Sequence, residues 1–386
     1  MMTGQIQQGG WFAAWTAAQM ITGTGDESID PHLRKNTIRQ QIQPSIGGDR
    51  IRLTLSNEYG IMPAVFESVS IARLIEPDRN AIDPLTNTVI TFAGLQSVEL
   101  PAGETVTSDA IDFSFDAFAD IAITMKIGEY AGGTTTGHTD ALCSTWIGKS
   151  PRVHDASFDA EMTTENWYFI SKLDIWTNED TRTLVVIGDS ITDCYGARAN
   201  RHERWSDVLS RRLANNFGTK SISVVNEGIG GNAIFGGNYS VALKDRFNRD
   251  VLGVPGVRYA VVLIGINDIG CSKKDISVNM IEEFGVMIEK CHANDIEIYA
   301  GTIMPVKGHS YYTDLHEQTR RAVNQWIRSD AARFDGTIDF DRIMADRNDP
   351  SCLSREYSLD GLHCNSRGYQ RMGEYAYERL KEIWCD

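Results

Sequence analysis

The sequence predicts an α/β protein in which a parallel sheet flanked by helices follows an all-β sandwich. Three observations carry that reading. The first half alternates apolar and polar residues with period two. The second half alternates short, wholly apolar runs with amphipathic stretches of helical period. A polar stretch, "TNEDTRT" (Thr177 to Thr183), lies where one texture gives way to the other. The expected domains are residues 1–176 and residues 177–386.

In the first domain, "RIRLTLS" (Arg50 to Ser56) and "IAITMKI" (Ile121 to Ile127) read as strands with one buried face. Clusters such as "IGGD", "EPDRNAIDP" and "YAGGTTTGHTD" separate runs of this kind, because Gly, Pro and Asp supply the backbone conformations that tight turns need. In the second domain the runs "LVVI", "SISVV", "YAVVLIG", "IEIYAGTI" and "GTIDFD" suit strands buried on both faces. The intervening "RWSDVLSRRLANNF", "SVNMIEEFGVMIEKCHAND" and "DLHEQTRRAVNQWIRSDAARF", with the terminal "SRGYQRMGEYAYERLKEIW", read as helices. Repeated strand–helix units predict parallel strands with helices on both faces.

The 386 residues are 42% hydrophobic and 23% charged, enough for two cores. A net charge of −15 argues against nucleic acid or an anionic membrane surface as the main partner, since both call for a basic footprint. No apolar run is long enough to span a bilayer. The opening "MMTGQIQQGGWFAAWTAAQM" lacks a basic segment followed by an unbroken apolar one, so a cytoplasmic location is expected, or a secreted one if a leader has been removed. The seven cysteines are dispersed with no CxxC pair and read as thiols. Nothing in the pattern speaks to oligomeric state.

Three apolar runs end on residues that carry chemistry. "LVVI" stops at Gly188-Asp189-Ser190, which reads either as a turn or as a nucleophile placed where open α/β sheets put their ligands. "SISVV" stops at "NEGIGGNAIFGGN", either a flexible loop or a set of backbone amides aimed at developing negative charge. The same residues, Gly228-x-Gly230-x-x-Ala233 with Asp250 beyond, also fit a dinucleotide fingerprint, although a second Gly pair falls where its helix should run. "YAVVLIG" stops at Gly265-Ile266-Asn267-Asp268, an Asx turn or an amide donor to an oxyanion. Near the C-terminus, Asp360 and His363 stand three apart in the turn "SLDGLHCNSRGY", where a carboxylate can reach an imidazole and fix its tautomer.

Taken together and in this order, "GDSIT" at 188–192, "NEGIGGN" at 226–232, "GIND" at 265–268 and "DGLH" at 360–363 closely resemble the four blocks of the SGNH (GDSL) hydrolase superfamily. The resemblance covers about the C-terminal 210 residues. The leading half, with "WFAAWTAAQ" and "RIRLTLSNEYG", looks like the β-rich, jelly-roll-like domain of one bacterial branch. The resemblance implies a three-layer sheet, with Ser190 as nucleophile, His363 as general base and Asp360 as the carboxylate that orients it. It implies an oxyanion hole built from the Ser190 amide, the Gly231 amide (favoured over Gly230) and the Asn267 side chain. It calls for no metal and no organic cofactor. The Gly-x-Ser-x-Thr pattern is not the Gly-x-Ser-x-Gly elbow of ordinary α/β-hydrolases. Cys364 stands where many relatives carry proline.

The expected activity is that of a serine esterase acting on short acyl esters, acetyl above all, on a small molecule or a carbohydrate. A lipase, phospholipase or thioesterase of the same fold is the first alternative. A glycan-binding module with a silent hydrolase domain is the second, and a nucleotide-binding oxidoreductase the third. Asp193 is expected to brace the Ser190 turn. His138 reads either as a loop histidine or as one that leans over the site, and His309 either as a plain loop histidine or as a substrate contact beside Tyr311 and Tyr312. Trp205, Cys194 and Cys364 read as core.

Overall fold

The structure is a computed structural model that describes residues 9–23, 33–128, 134–149, 152–178, 180–216, 218–236 and 240–385. The first eight residues, residues 129–133 of the loop before His138, and Gly237 and Asn238 lie outside them.

Up to residue 178, every pairing between strands is antiparallel among the described residues. A five-stranded and a seven-stranded sheet, with a small three-stranded one beside them, enclose a single apolar core. The first strand, Gly9–Thr16, pairs with the last, Ile170–Asn178, so the sandwich is closed by segments far apart in sequence. The polar stretch at 177–183 is a handover between two strands rather than a free linker. Thr177 and Asn178 finish the last sandwich strand, and Arg182 and Thr183 begin Arg182–Gly188, the first strand in the chain of the second sheet.

That second sheet is five-stranded and parallel, in the order Ile222–Gly228, Arg182–Gly188, Val257–Leu263, Glu297–Gly301, Gly336–Ile338. The chain steps to one side after its first strand and to the other side after its second. Right-handed crossovers therefore place helices on opposite faces. Trp205–Ala214 packs against Ser366–Cys385, while Ser277–His292 packs against Asp314–Ile327. The reversal of direction opens a crevice at the carboxyl end of Arg182–Gly188. Gly188 lies there in register with Gly228 on one neighbour and Leu263 on the other.

Alanines let the two halves meet closely. A bulge between Ala13 and Trp15 turns Ala14 and Trp15 toward the sandwich core, while Ala13 joins the core of the parallel sheet. Strand Ile222–Gly228 is an edge strand, and the sandwich covers its open side. The Ser45 hydroxyl accepts the Val224 N–H at 3.0 Å and lies 2.8 Å from the Ser223 hydroxyl, which donates to the Ala13 carbonyl. Unpaired edge groups that would invite association are thus satisfied within the chain.

Close approach at the crevice explains Gly188. A Cβ there would stand 2.2 Å from the Leu263 carbonyl oxygen and 2.4 Å from Thr192 Oγ1. Gly188→Ala is expected to cost about 1–3 kcal/mol, as overpacking of a close-packed site does. A denaturation midpoint unchanged from the parent chain would show that the crevice has slack.

Candidate functional site

The strand ends at Gly188 because Asp189 starts a helical turn, Ser190–Asp193, by accepting the Ile191 N–H at 2.9 Å. Ser190 occupies the first helical position, so its own N–H has no intrahelical acceptor. Its Oγ lies 2.9 Å from Nε2 of His363, and Nδ1 of that ring lies 2.8 Å from Oδ2 of Asp360. Oδ1 of Asp360 accepts the backbone N–H groups of Leu362 and His363 at 2.9 and 2.7 Å. The turn closes at Gly361, whose φ of +90° suits glycine.

Burial raises the Asp360 carboxyl. The hydrogen bonds from the His363 ring, from the His363 and Leu362 amides, and the charge on His363 outweigh it, holding the group down at about 2. An ionised carboxylate opposite Nδ1 keeps the proton on that nitrogen and leaves Nε2 free to accept from Ser190. A hydroxyl–imidazole–carboxylate chain of this geometry can take a proton from the serine oxygen. The Tyr195 ring packs on the imidazole, with centroids 4.7 Å apart, and its backbone is fastened where the Tyr369 hydroxyl donates to the Tyr195 carbonyl.

Asn267 and Asp268, in the turn after Val257–Leu263, both hold the loop that follows Gly228. Asn267 Nδ2 donates to the Asn232 carbonyl at 2.8 Å, which leaves its second N–H for another acceptor. Its Oδ1 accepts the Tyr311 hydroxyl at 3.3 Å, and Asp268 accepts the N–H groups of Ile234 and Phe235. In the same loop the Gly230 N–H donates to Asp193 Oδ2 at 3.2 Å. The Gly231 N–H has no partner among the described residues, and Gly231 has a φ of +70°. Ser190, Asp360, His363, Gly231 and Asn267 therefore gather at the ends of adjacent strands and the final turn.

Several other expectations meet the structure here. Asp193 does brace the turn, through Gly230. His138 is neither a loop histidine nor a group over the site. It lies on strand Thr135–His138, is 3% exposed, and turns inward to Asp193 because both ring nitrogens find buried acceptors there. His309 is half-buried beside the turn that carries Gly361, edge-on to Tyr311. Trp205 is fully buried against Phe340. Cys194 and Cys364 are buried thiols whose ionisation burial pushes upward. No helix follows directly from Gly228-x-Gly230. The described residues between 229 and 242 form a loop, and the next helix begins at Leu243.

The residue that sequence reasoning missed is Arg246. Its guanidinium is wholly buried and donates to the Asn232 side chain, the Glu227 and Gly188 carbonyls, and Asp250. One cation thus ties the Gly188 turn to the loop bearing Gly231. The only signal in the sequence is an Arg–Asp pair four apart in "LKDRFNRD", which ordinarily marks a solvated face.

The geometry places a hydroxyl–imidazole–carboxylate chain at the switch point of a parallel sheet. Residues 186–371 match the model of the GDSL-like lipase/acylhydrolase family. No curated protein matches the chain. Among solved structures, a lipase/acylhydrolase from Enterococcus faecalis is 23% identical with a TM-score of 0.41, the match covering 52% of this chain and 96% of that one. A GDSL-like lipase from Bacteroides thetaiotaomicron gives 17% and 0.39, with 54% and 90% covered. The acetylxylan esterase Axe2 from Geobacillus stearothermophilus gives 21% and 0.39, with 53% and 94% covered. Likenesses of this degree carry no argument about chemistry. Among the described residues, no helix is long and apolar enough to cross a membrane.

Two measurements test the supports of the site. Arg246→Met leaves Asp250 paired with Arg249 but takes the donor from the Glu227 and Gly188 carbonyls and the Asn232 side chain, and should cost at least about 1–3 kcal/mol in unfolding free energy. A loss below 1 kcal/mol, on the order of an exposed pair, would show the fastening to be dispensable. Burial raises Asp189 to about 7 from the usual 3.8, with the Asp268 charge adding to it and the Ile191 N–H and Arg246 opposing. The folded chain keeps this proton where the unfolded chain has lost it. That contribution to stability is whole below the unfolded value and is lost as pH rises through about 7. Asp189→Asn, which keeps the cap and cannot ionise, should flatten part of the decline in denaturation midpoint between about pH 4 and 7. An identical decline in both chains would remove Asp189 as a source.

Proposed function

We propose that the chain is a serine esterase that hydrolyses short acyl esters, acetyl above all, with carbohydrate as the favoured alcohol. The observation that carries the proposal is the unbroken chain from Ser190 Oγ through His363 to Asp360, at 2.9 and 2.8 Å. His363 takes the Ser190 proton as Oγ attacks the acyl carbonyl. The resulting oxyanion falls between the amides of Ser190 and Gly231 and the free N–H of Asn267. The imidazolium then passes its proton to the departing alcohol, and water repeats the sequence on the acyl-serine. That Gly230 is engaged by Asp193 while Gly231 is not supports Gly231 as the loop's donor.

The carbohydrate reading is supported by half-exposed rings beside the site. Tyr195 flanks His363, and Phe235, with the Lys244 ammonium over its ring, stands on the loop held by Asp268; both are exposed aromatic rings of the kind on which sugars pack. The β-rich first domain supports it by analogy only. The same apolar groups, with Leu359, would serve a longer acyl chain, which is the lipase alternative.

Hydrolysis of p-nitrophenyl esters from acetyl to palmitoyl separates these readings. Fast cleavage of acetyl, falling off by hexanoyl, is expected, whereas a rate that peaks at long chains would turn the reading to lipase. Ser190→Ala and His363→Ala should each lower turnover by several orders of magnitude, and Asn267→Ala by about a hundred- to a thousandfold.

A further inference from the structure

We infer that the β-sandwich completes the acyl-transfer centre, with His138 acting as a positioning residue that fixes the Gly231 amide through Asp193 and Gly230. The inference rests on the esterase reading above and names a part of that machinery which lies in the other domain. Nδ1 of His138 is 2.8 Å from the Ala18 carbonyl, which can only accept, so this nitrogen carries a proton. Nε2 is 3.1 Å from Asp193 Oδ1, and the other oxygen of the same carboxylate accepts the Gly230 N–H. His138 and Asp193 are 3% and 5% exposed, so solvent offers little competition for these bonds. Asp193 is also the last residue of the Ser190 turn, and Arg204 Nε donates to its backbone carbonyl. One carboxylate thus joins the serine turn and the glycine loop, and its orientation is set from the sandwich.

A second contact acts on the same loop. Ile229, the residue before Gly230, is buried in a small cluster with Ala18 and Met20 of the sandwich. Segment 18–20 therefore holds Ile229 by packing and, through the His138 bond to Ala18, holds Asp193 by hydrogen bonding. The loop needs such restraint, because two consecutive glycines have more backbone freedom to lose than any other pair. An oxyanion donor also works only within a few tenths of an ångström of its place.

The test is steady-state hydrolysis of p-nitrophenyl acetate by the full chain carrying His138→Ala, His138→Gln or His138→Asn, with thermal midpoints alongside. The Gln amide nitrogen can reach the place of Nε2 and donate to Asp193, whereas that of Asn reaches only the place of Nδ1. His138→Ala and His138→Asn should lower kcat by about 10- to 100-fold with KM within about threefold, and His138→Gln should recover most of kcat. Should the alanine chain fail to fold, the contrast between Gln and Asn carries the test. Equal kcat for Gln and Asn, or midpoints that fall while kcat well below them stays at the parent value, would overturn the proposal and leave His138 as interface packing. Turnover that survives in Ser190→Ala, or is absent from the parent chain on every ester, would instead sink the esterase reading, and this inference with it.

Discussion

The loops at the carboxyl ends of the two left-hand parallel strands depend on one buried cation. Where Arg182–Gly188 and Ile222–Gly228 end, the Glu227 carbonyl and the second lone pair of the Gly188 carbonyl, which already accepts the Ile229 N–H, must find donors in a region closed to water. Arg246 supplies them, donating to Gly188 and Glu227 and to the Asn232 side chain, with Asp250 balancing its charge. A planar guanidinium with five donors is suited to such a junction, whereas a lysine would offer a single point charge. The cost of burying this charge is offset because all three guanidinium nitrogens find acceptors and Asp250 lies opposite. Nearby, Glu227 is driven up to about 8, by burial first and by the Asp250 charge second, against Thr16, Arg246 and Arg249. The interior behind the crevice is therefore polar, but partnered on its cationic side.

The two halves of the chain divide the work unequally. The parallel sheet supplies strand ends that bring Ser190, Gly231 and Asn267 to one edge, and the last turn supplies His363 and Asp360. The sandwich supplies walls. Its first strand and Ser45 cover the sheet's edge, and its segment 18–20 stands behind the glycine loop. Tyr59 also reaches across, its hydroxyl 3.4 Å from that of Ser240, beyond the same loop. What looks like an accessory domain in outline is, at the level of contacts, one side of the pocket's foundation.

Much of this was legible in the residues. The apolar runs ending in Gly188, Gly228 and Gly265 mark strands buried on both faces, because no alternation is needed there. Asp360 and His363 could be paired because three residues bounded by a turn glycine fix their separation locally. What remained hidden depends on contacts distant in sequence. Arg246 reads as a surface arginine until the carbonyls around it are placed. His138 lies 55 residues from Asp193, in a segment whose turn-like composition conceals a buried strand. The choice between Gly230 and Gly231 turns on which amide Asp193 has already engaged, and no periodicity reports that. The polar stretch at 177–183 marks a change of texture, yet Thr177, Asn178, Arg182 and Thr183 are strand residues, paired through a backbone that side-chain polarity does not describe.

The pairing of Gly9–Thr16 with Ile170–Asn178 has a consequence for how the chain comes into being. A polypeptide emerging from synthesis cannot close this sandwich until its last strand has appeared, and the very next strand emitted is the first of the parallel sheet. Closing so long a loop is slow, and an unpaired first strand is exposed to wrong partners in the meantime. Once closed, however, the sandwich presents a finished surface of small alanines and the Ser45 hydroxyl against which Ile222–Gly228 can dock as it arrives. The order of the domains along the chain is thus an order of assembly, with the wall standing before the sheet that needs it. A chain begun at residue 177 would carry all the chemistry and lack the template on which its edge strand is laid.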